Sequence, residues 1–293
     1  YVSLILKELA KKQNNGLPAY FKGGTALYKA LKTTNRFSED IDLSVDTKNC
    51  SRTQNDRRLE QATKKYTSLV RDVSQCKTNR SEVIAVYTYE PFTAFDRNDA
   101  LQRFGRVKIE ATSFTISEPV ECLEISAMLY DLASNEQKQI LESEYDVSPF
   151  YIKTISMERV FIDKLFAAEA YVRRSSESHR AFEAAKHIYD LAVIHKHKTI
   201  ANLLSDTKQM KRLLDIRISE ERERLDGIPG VLPSAFIFFT DSNDNDVRKA
   251  YEIMQNQYVL RDCDRINYDK AVDAIAEIHK SLLNNASWAE YQF

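Results

Sequence analysis

Nothing in this chain approaches the run of about 20 apolar residues that a membrane span needs, so no membrane partner is expected. It has no surplus of either charge: 42 basic residues stand against 43 acidic ones. No global field therefore advertises a nucleic-acid or membrane surface, and any such partner must be met by a local patch. Cysteine is scarce and scattered. Cys50, Cys76, Cys122 and Cys263 form no CxxC and have no histidine at a metal spacing, which argues against a zinc site or a disulfide framework and reads as reduced thiols in a cytoplasmic protein. Neither GxxxxGK[ST] nor GxGxxG occurs, so neither a P-loop ATPase nor a dinucleotide enzyme is supported. Internal repeats and low-complexity segments are also missing. The opening "YVSLILKELAKKQ" has acid and lysine interrupting its apolar run, and reads as a helix lacking its beginning rather than a signal peptide.

What is present supports real cores: 43% hydrophobic residues, with 15 Tyr and 14 Phe. The length suits two domains of about 150 residues each. "PAYFKGG" reads as a strand entering a turn and "TALYKALKTT" as a helix. In "SEDIDLSV", Ile41, Leu43 and Val45 alternate with Asp40, Asp42 and Ser44, the pattern of a half-buried strand. A polar helical stretch is expected over 53–75, then strands in "SEVIAVYTYE", "FTAFD", "GRVKIEATSF", "ECLEIS" and "FYIKTIS". From Ser156, a natural N-cap, the period becomes helical, with Gly227, Pro229, Gly230 and Pro233 marking one loop. The expected fold class is α/β: a domain with a mixed sheet over 1–155, then an all-α domain over 156–293.

One unit, "FKGGTALYKALKTTNRFSEDIDL", concentrates the chemistry. Gly23 and Gly24 let the backbone turn sharply and bring amide groups close to a ligand, and Thr25 adds a hydroxyl. A Gly-Gly turn alone is commonly no more than a connection. Asp40 and Asp42, two residues apart on one strand, would lie about 6–7 Å apart along the backbone. Carboxylates that close repel unless a cation joins them, and magnesium, which takes carboxylates together with substrate phosphates, is the natural resolution. A third ligand is expected from "RVKIEATSF", where alternation puts Lys108, Glu110 and Thr112 on one face and makes Glu110 the candidate. An ordinary cross-strand charge pair is the plain alternative for Glu110.

At these residues the chain resembles the DNA polymerase beta-like nucleotidyltransferase superfamily. More narrowly, "GGTALYKA" followed by "RFSEDIDLSV" resembles the AbiEii toxin family of type IV toxin-antitoxin and abortive-infection systems. The likeness spans roughly residues 20 to 195. It implies a Mg²⁺-dependent transfer of a nucleoside monophosphate from an NTP to an acceptor, with RNA, and tRNA ends in particular, favoured, and an antitoxin protein as a partner. Carried onto this chain, the resemblance makes Asp40, Asp42, Lys164 and Asp190 catalytic, with Asp40 and Asp42 holding metal; Glu110, read from alternation, would be the third metal ligand. Gly23, Gly24, Thr25, Arg36, Ser38 and Lys186 would serve the substrate. His187 stands where the family's motif expects an aspartate.

Plainer readings stand beside these. Lys186 and Asp190, four apart on a helix, would make a surface pair; Lys164 would be a solvated charge; Arg36 would bridge Glu39. A catalytically silent module of the same fold, or an enzyme modifying a small molecule, are the alternative functions. His195 and His197 complement a helix C-terminus better than they bind metal. Arg173, Arg174, His179, Arg180, Lys186, Lys196, Lys198, Lys208, Lys211 and Arg212 would make a phosphate-binding patch only if clustered.

Overall fold

A computed structural model describes residues 1–38, 40–90, 105–223, 232–240, 245–259 and 261–291. The "FTAFD" strand expectation, Glu39, Gly227, Pro229 and Gly230 lie outside these. The chain divides into two compact units, Tyr1–Leu31 with Glu39–Ile155, and Lys32–Ser38 with Ser156–Phe293.

In the first unit α1 (Val2–Asn14) is followed by β1 (Ala19–Lys22), α2 (Gly23–Lys29), β2 (Ile41–Val45) and α3 (Arg52–Thr63). Then come β3 (Val70–Asn79), β4 (Glu82–Thr88), β5 (Arg106–Thr112), β6 (Val120–Ile125), α4 (Met128–Leu132), α5 (Asn135–Tyr145) and β7 (Phe150–Ile155). The strands form one mixed sheet of order β3-β4-β5-β2-β1-β7-β6. β2 runs parallel to β5 and β1 parallel to β7, while the other neighbours are antiparallel. Strand alternation sends Ile41, Leu43 and Val45 into a core shared with Val107 and Ile109 of β5 and with Ile5, Leu6 and Leu9 of α1. Ala26 of α2 and Leu59 and Ala62 of α3 close it. The opposite side chains of β2 and β5 are thereby left for polar work.

The expected helix over 53–75 is corrected: it ends at Thr63, and residues from Val70 onward form β3. β3 is an edge strand whose Val70 and Val73 are exposed, so its sequence lacks the alternation that burial imposes. Pairing with β4 holds it extended.

The second unit is helical: α6 (Met157–Val172), α7 (Ser178–Ile194), α8 (Lys198–Ser205), α9 (Thr207–Glu223), α10 (Asn245–Tyr258), α11 (Tyr268–Leu283) and α12 (Ala286–Ala289). Ser156 caps α6 by accepting from the Arg159 amide. His195 closes α7, and His197 caps α8 by accepting from the Thr199 amide, which gives both histidines structural work. Buried Arg159 of α6 meets buried Glu220 of α9 at 2.6 Å, an ion pair inside the bundle. Residues 32–38 join this unit through local contacts. Arg36 bridges Val259, Phe37 N donates to Tyr258 O at 2.6 Å, and Asn35 Nδ2 donates to Asp264 Oδ1 at 2.9 Å.

Candidate functional site

In the first unit the chemistry gathers where β1 turns into α2. Gly23 adopts φ +80°, and a Cβ placed there would stand 2.0 Å from Asp42 Oδ2. Only glycine lets the carboxylate lie against that backbone. Asp42 is opposite Lys22 on antiparallel β1 and opposite Glu110 on parallel β5. Burial, then the charges of Glu110 and Asp40, push its carboxyl up to about 7, with Lys22 and Lys108 opposing.

Asp40 departs from expectation, because it precedes β2 rather than lying in it. Its side chain is 44% exposed and meets Lys108 Nζ at 3.0 Å. The same ammonium lies 2.7 Å from Glu110 Oε1. Burial opposes the Lys108 charge, but Asp40 and Glu110 outweigh it and hold the ammonium above the ordinary lysine range. Thr25 is fully buried, and its hydroxyl donates to the backbone carbonyl of Asp40. Through that bond the hydroxyl anchors the segment carrying Asp40. Gly24 lies in the first turn of α2.

Among the described residues, no group of three or more His, Cys, Asp and Glu side chains is arranged to hold a metal ion. The donors nevertheless suit one. Three carboxylates of the hard-oxygen kind that magnesium takes are close enough for two to shift the third.

In the second unit, Asp190 of α7 is fully buried. Arg36 grips it with both arms, Nε to Oδ1 and Nη2 to Oδ2, each at 2.7 Å, and Lys164 Nζ of α6 meets Oδ2 at 2.6 Å. Burial alone would raise this carboxyl. Arg36 and then Lys164 reverse that and hold it well below the usual carboxylate range. Two cations thus meet on one carboxylate.

Two plain readings of these residues are thereby replaced: Lys164 is buried rather than solvated, and Lys186 pairs with Glu183 at 2.8 Å instead of Asp190. Arg36 holds Asp190, and its expected bridge to Glu39 falls on a residue outside the described ones. The Lys186 ammonium also lies over the rings of Phe182 and Tyr258. His187 stacks on Tyr171, and burial together with Lys164 keeps its imidazole neutral, well below the ordinary histidine range. Ser38 lies in the segment that joins this unit. Among the basic residues of the expected patch, Arg173 and Lys211 each pair with an acid one turn away, and Arg174 and Arg180 share Glu177, so these four face three acids.

Two features escape sequence reasoning. Lys108 between two acids is foreshadowed by its i, i+2 spacing from Glu110, but its bond to Asp40 depends on β2 lying beside β5. The Arg36–Asp190 pair leaves no local signal at all.

No curated protein and no solved structure matches the chain. A family described as "Nucleotidyl transferase AbiEii toxin, Type IV TA system" matches residues 4–277. That span contains the Gly-Gly turn, the acidic group and the Arg36–Lys164–Asp190 cluster, and it runs well beyond the residues whose motifs carry the likeness. The chain therefore belongs to the AbiEii family of nucleotidyl transferase toxins of type IV toxin–antitoxin systems.

Proposed function

We propose that the protein transfers a nucleoside monophosphate from an NTP to the end of an acceptor RNA, tRNA being favoured, in a Mg²⁺-dependent reaction in the cytoplasm, with an antitoxin protein as regulator. The observation that carries this reading is the position of Asp42. The fold holds this carboxylate against the backbone of Gly23 and beside two further acids, so that about 7 becomes its protonation midpoint. An arrangement that crowds like charges is disfavoured by itself and is relieved by a cation.

Asp40, Asp42 and Glu110 would hold magnesium. When bound, the ion would offset the charge of the triphosphate and ease deprotonation of the attacking hydroxyl. The chain's own residues do the rest. Gly23 and Gly24 allow a triphosphate close to the backbone turn. Thr25 fixes the Asp40 segment through its carbonyl. In the second unit, Asp190 orients Lys164 while Arg36 fixes Asp190; the lysine's compact ammonium is of the kind that meets a phosphate. Lys186 and Ser38 remain candidates for substrate contact on the resemblance alone.

The test is incubation with each α-labelled NTP, Mg²⁺ and total tRNA. Label on RNA that disappears in Asp42→Asn supports the proposal. Nucleotide binding without transfer points instead to a silent module, and label on a small molecule to a different acceptor.

A further inference from the structure

The acids of the first unit already have a cation, and the protein supplies it. Lys108 Nζ lies 2.7 Å from Glu110 and 3.0 Å from Asp40, while Asp42, the third acid, lies opposite Glu110 in the sheet. The three carboxylates do not converge on one point, and the geometry gives the reason: Asp40 and Glu110 aim at the lysine. A lysine ammonium is a compact point charge on a flexible four-carbon stem, able to swing without disturbing its strand. Its side chain is 35% exposed, so part of it already faces solvent.

We propose that Lys108 is a built-in counter-ion that competes with the divalent cation for Asp40 and Glu110, and so sets the cation concentration at which the site loads. The inference rests on the metal reading given above. A monovalent group holding two acids stabilises the metal-free protein and must be displaced when a divalent ion takes the same oxygens. The toxin would then stay unloaded until the cation, or cation with nucleotide, outcompetes one side chain.

The measurement is direct metal binding without nucleotide. Mn²⁺ is titrated into the full chain and followed by the loss of free-ion electron paramagnetic resonance signal, with Mg²⁺ competition as the second readout. Lys108→Gln should load at about tenfold lower Mn²⁺, the scale on which two half-exposed ion pairs compete, and should melt lower than wild type in EDTA. Lys108→Arg, which keeps the charge, should stay near wild type. Unchanged or weaker loading in Lys108→Gln while wild type binds Mn²⁺ overturns this inference and leaves the metal site standing. Absence of binding in every protein overturns both. Should Lys108→Gln fail to fold, a crystal of wild type soaked in Mn²⁺ decides: Lys108 withdrawn from Asp40 and Glu110 supports the competition, and Lys108 still bridging them beside a bound ion refutes it.

Discussion

Arg36 and Asp190 are 154 residues apart in sequence, yet the guanidinium of one donates to both carboxylate oxygens of the other at 2.7 Å, with both side chains buried. Removing Arg36 strips two charged hydrogen bonds from a carboxylate that water cannot reach and leaves Lys164 alone to hold it. Arg36→Ala should therefore destabilise the second unit by about 3–5 kcal/mol, measured by urea unfolding, and should lower transfer activity by loosening Asp190 and Lys164. The pH dependence carries a definite sign. Asp190's folded pKa lies below its unfolded value, so its stabilising share is complete above pH of about 4 and is lost as pH falls further. Asp190→Asn should flatten that acid limb.

Gly23→Ala separates collision from backbone strain. Gly23 and Gly16 both have positive φ, but an added Cβ meets Asp42 Oδ2 at 2.0 Å in the first and nothing within 4 Å in the second. Gly16→Ala should cost the strain alone, about 1–2 kcal/mol. Gly23→Ala should melt lower than Gly16→Ala and abolish transfer, because Asp42 must move; equal melting temperatures and retained activity would refute the close approach.

Asp42 gives a second titration, read in EDTA. Its folded midpoint of about 7 exceeds the unfolded value, so the folded state holds the extra proton between about pH 4 and 7 and stability declines as pH rises through that window. Asp42→Asn should lack this decline. Its melting temperature should exceed wild type's by a growing margin from pH 4 to 7, levelling off above. A constant margin would show that Asp42 is ionised throughout.

Lys12 titrates in the opposite range. Burial, with Lys65 adding to it and Glu8 opposing, brings its ammonium down to about 8, and its Nζ donates to the carbonyls of Gln61 and Lys64 at the end of α3. Between pH 8 and about 10 the unfolded chain binds the extra proton, so Lys12's contribution to stability should rise with pH there. Differential melts of wild type and Lys12→Met across this range check it; the wild-type gain should vanish in the variant.

The pieces of the site that lie close together in sequence were legible from it, since they are consequences of local geometry. Alternation in "IDLSV" and "RVKIEAT" assigns Ile41, Leu43, Val107 and Ile109 to the core, which leaves Asp42 and Glu110 on the other face. The Gly-Gly pair marks a turn that only glycine makes, and Ser156 marks a helix start by its hydroxyl. The first motif also pointed to the family that the whole-chain match supports. Strand β3 was hidden because an exposed edge strand has no buried face to impose a period. Whether Asp40 answers Asp42 or Lys108, and whether Asp190 answers Lys186 or Arg36 and Lys164, depends on which strands and helices become neighbours. Ion pairs act through space and desolvation is set by everything packed around a charge, so these choices belonged to the tertiary structure alone.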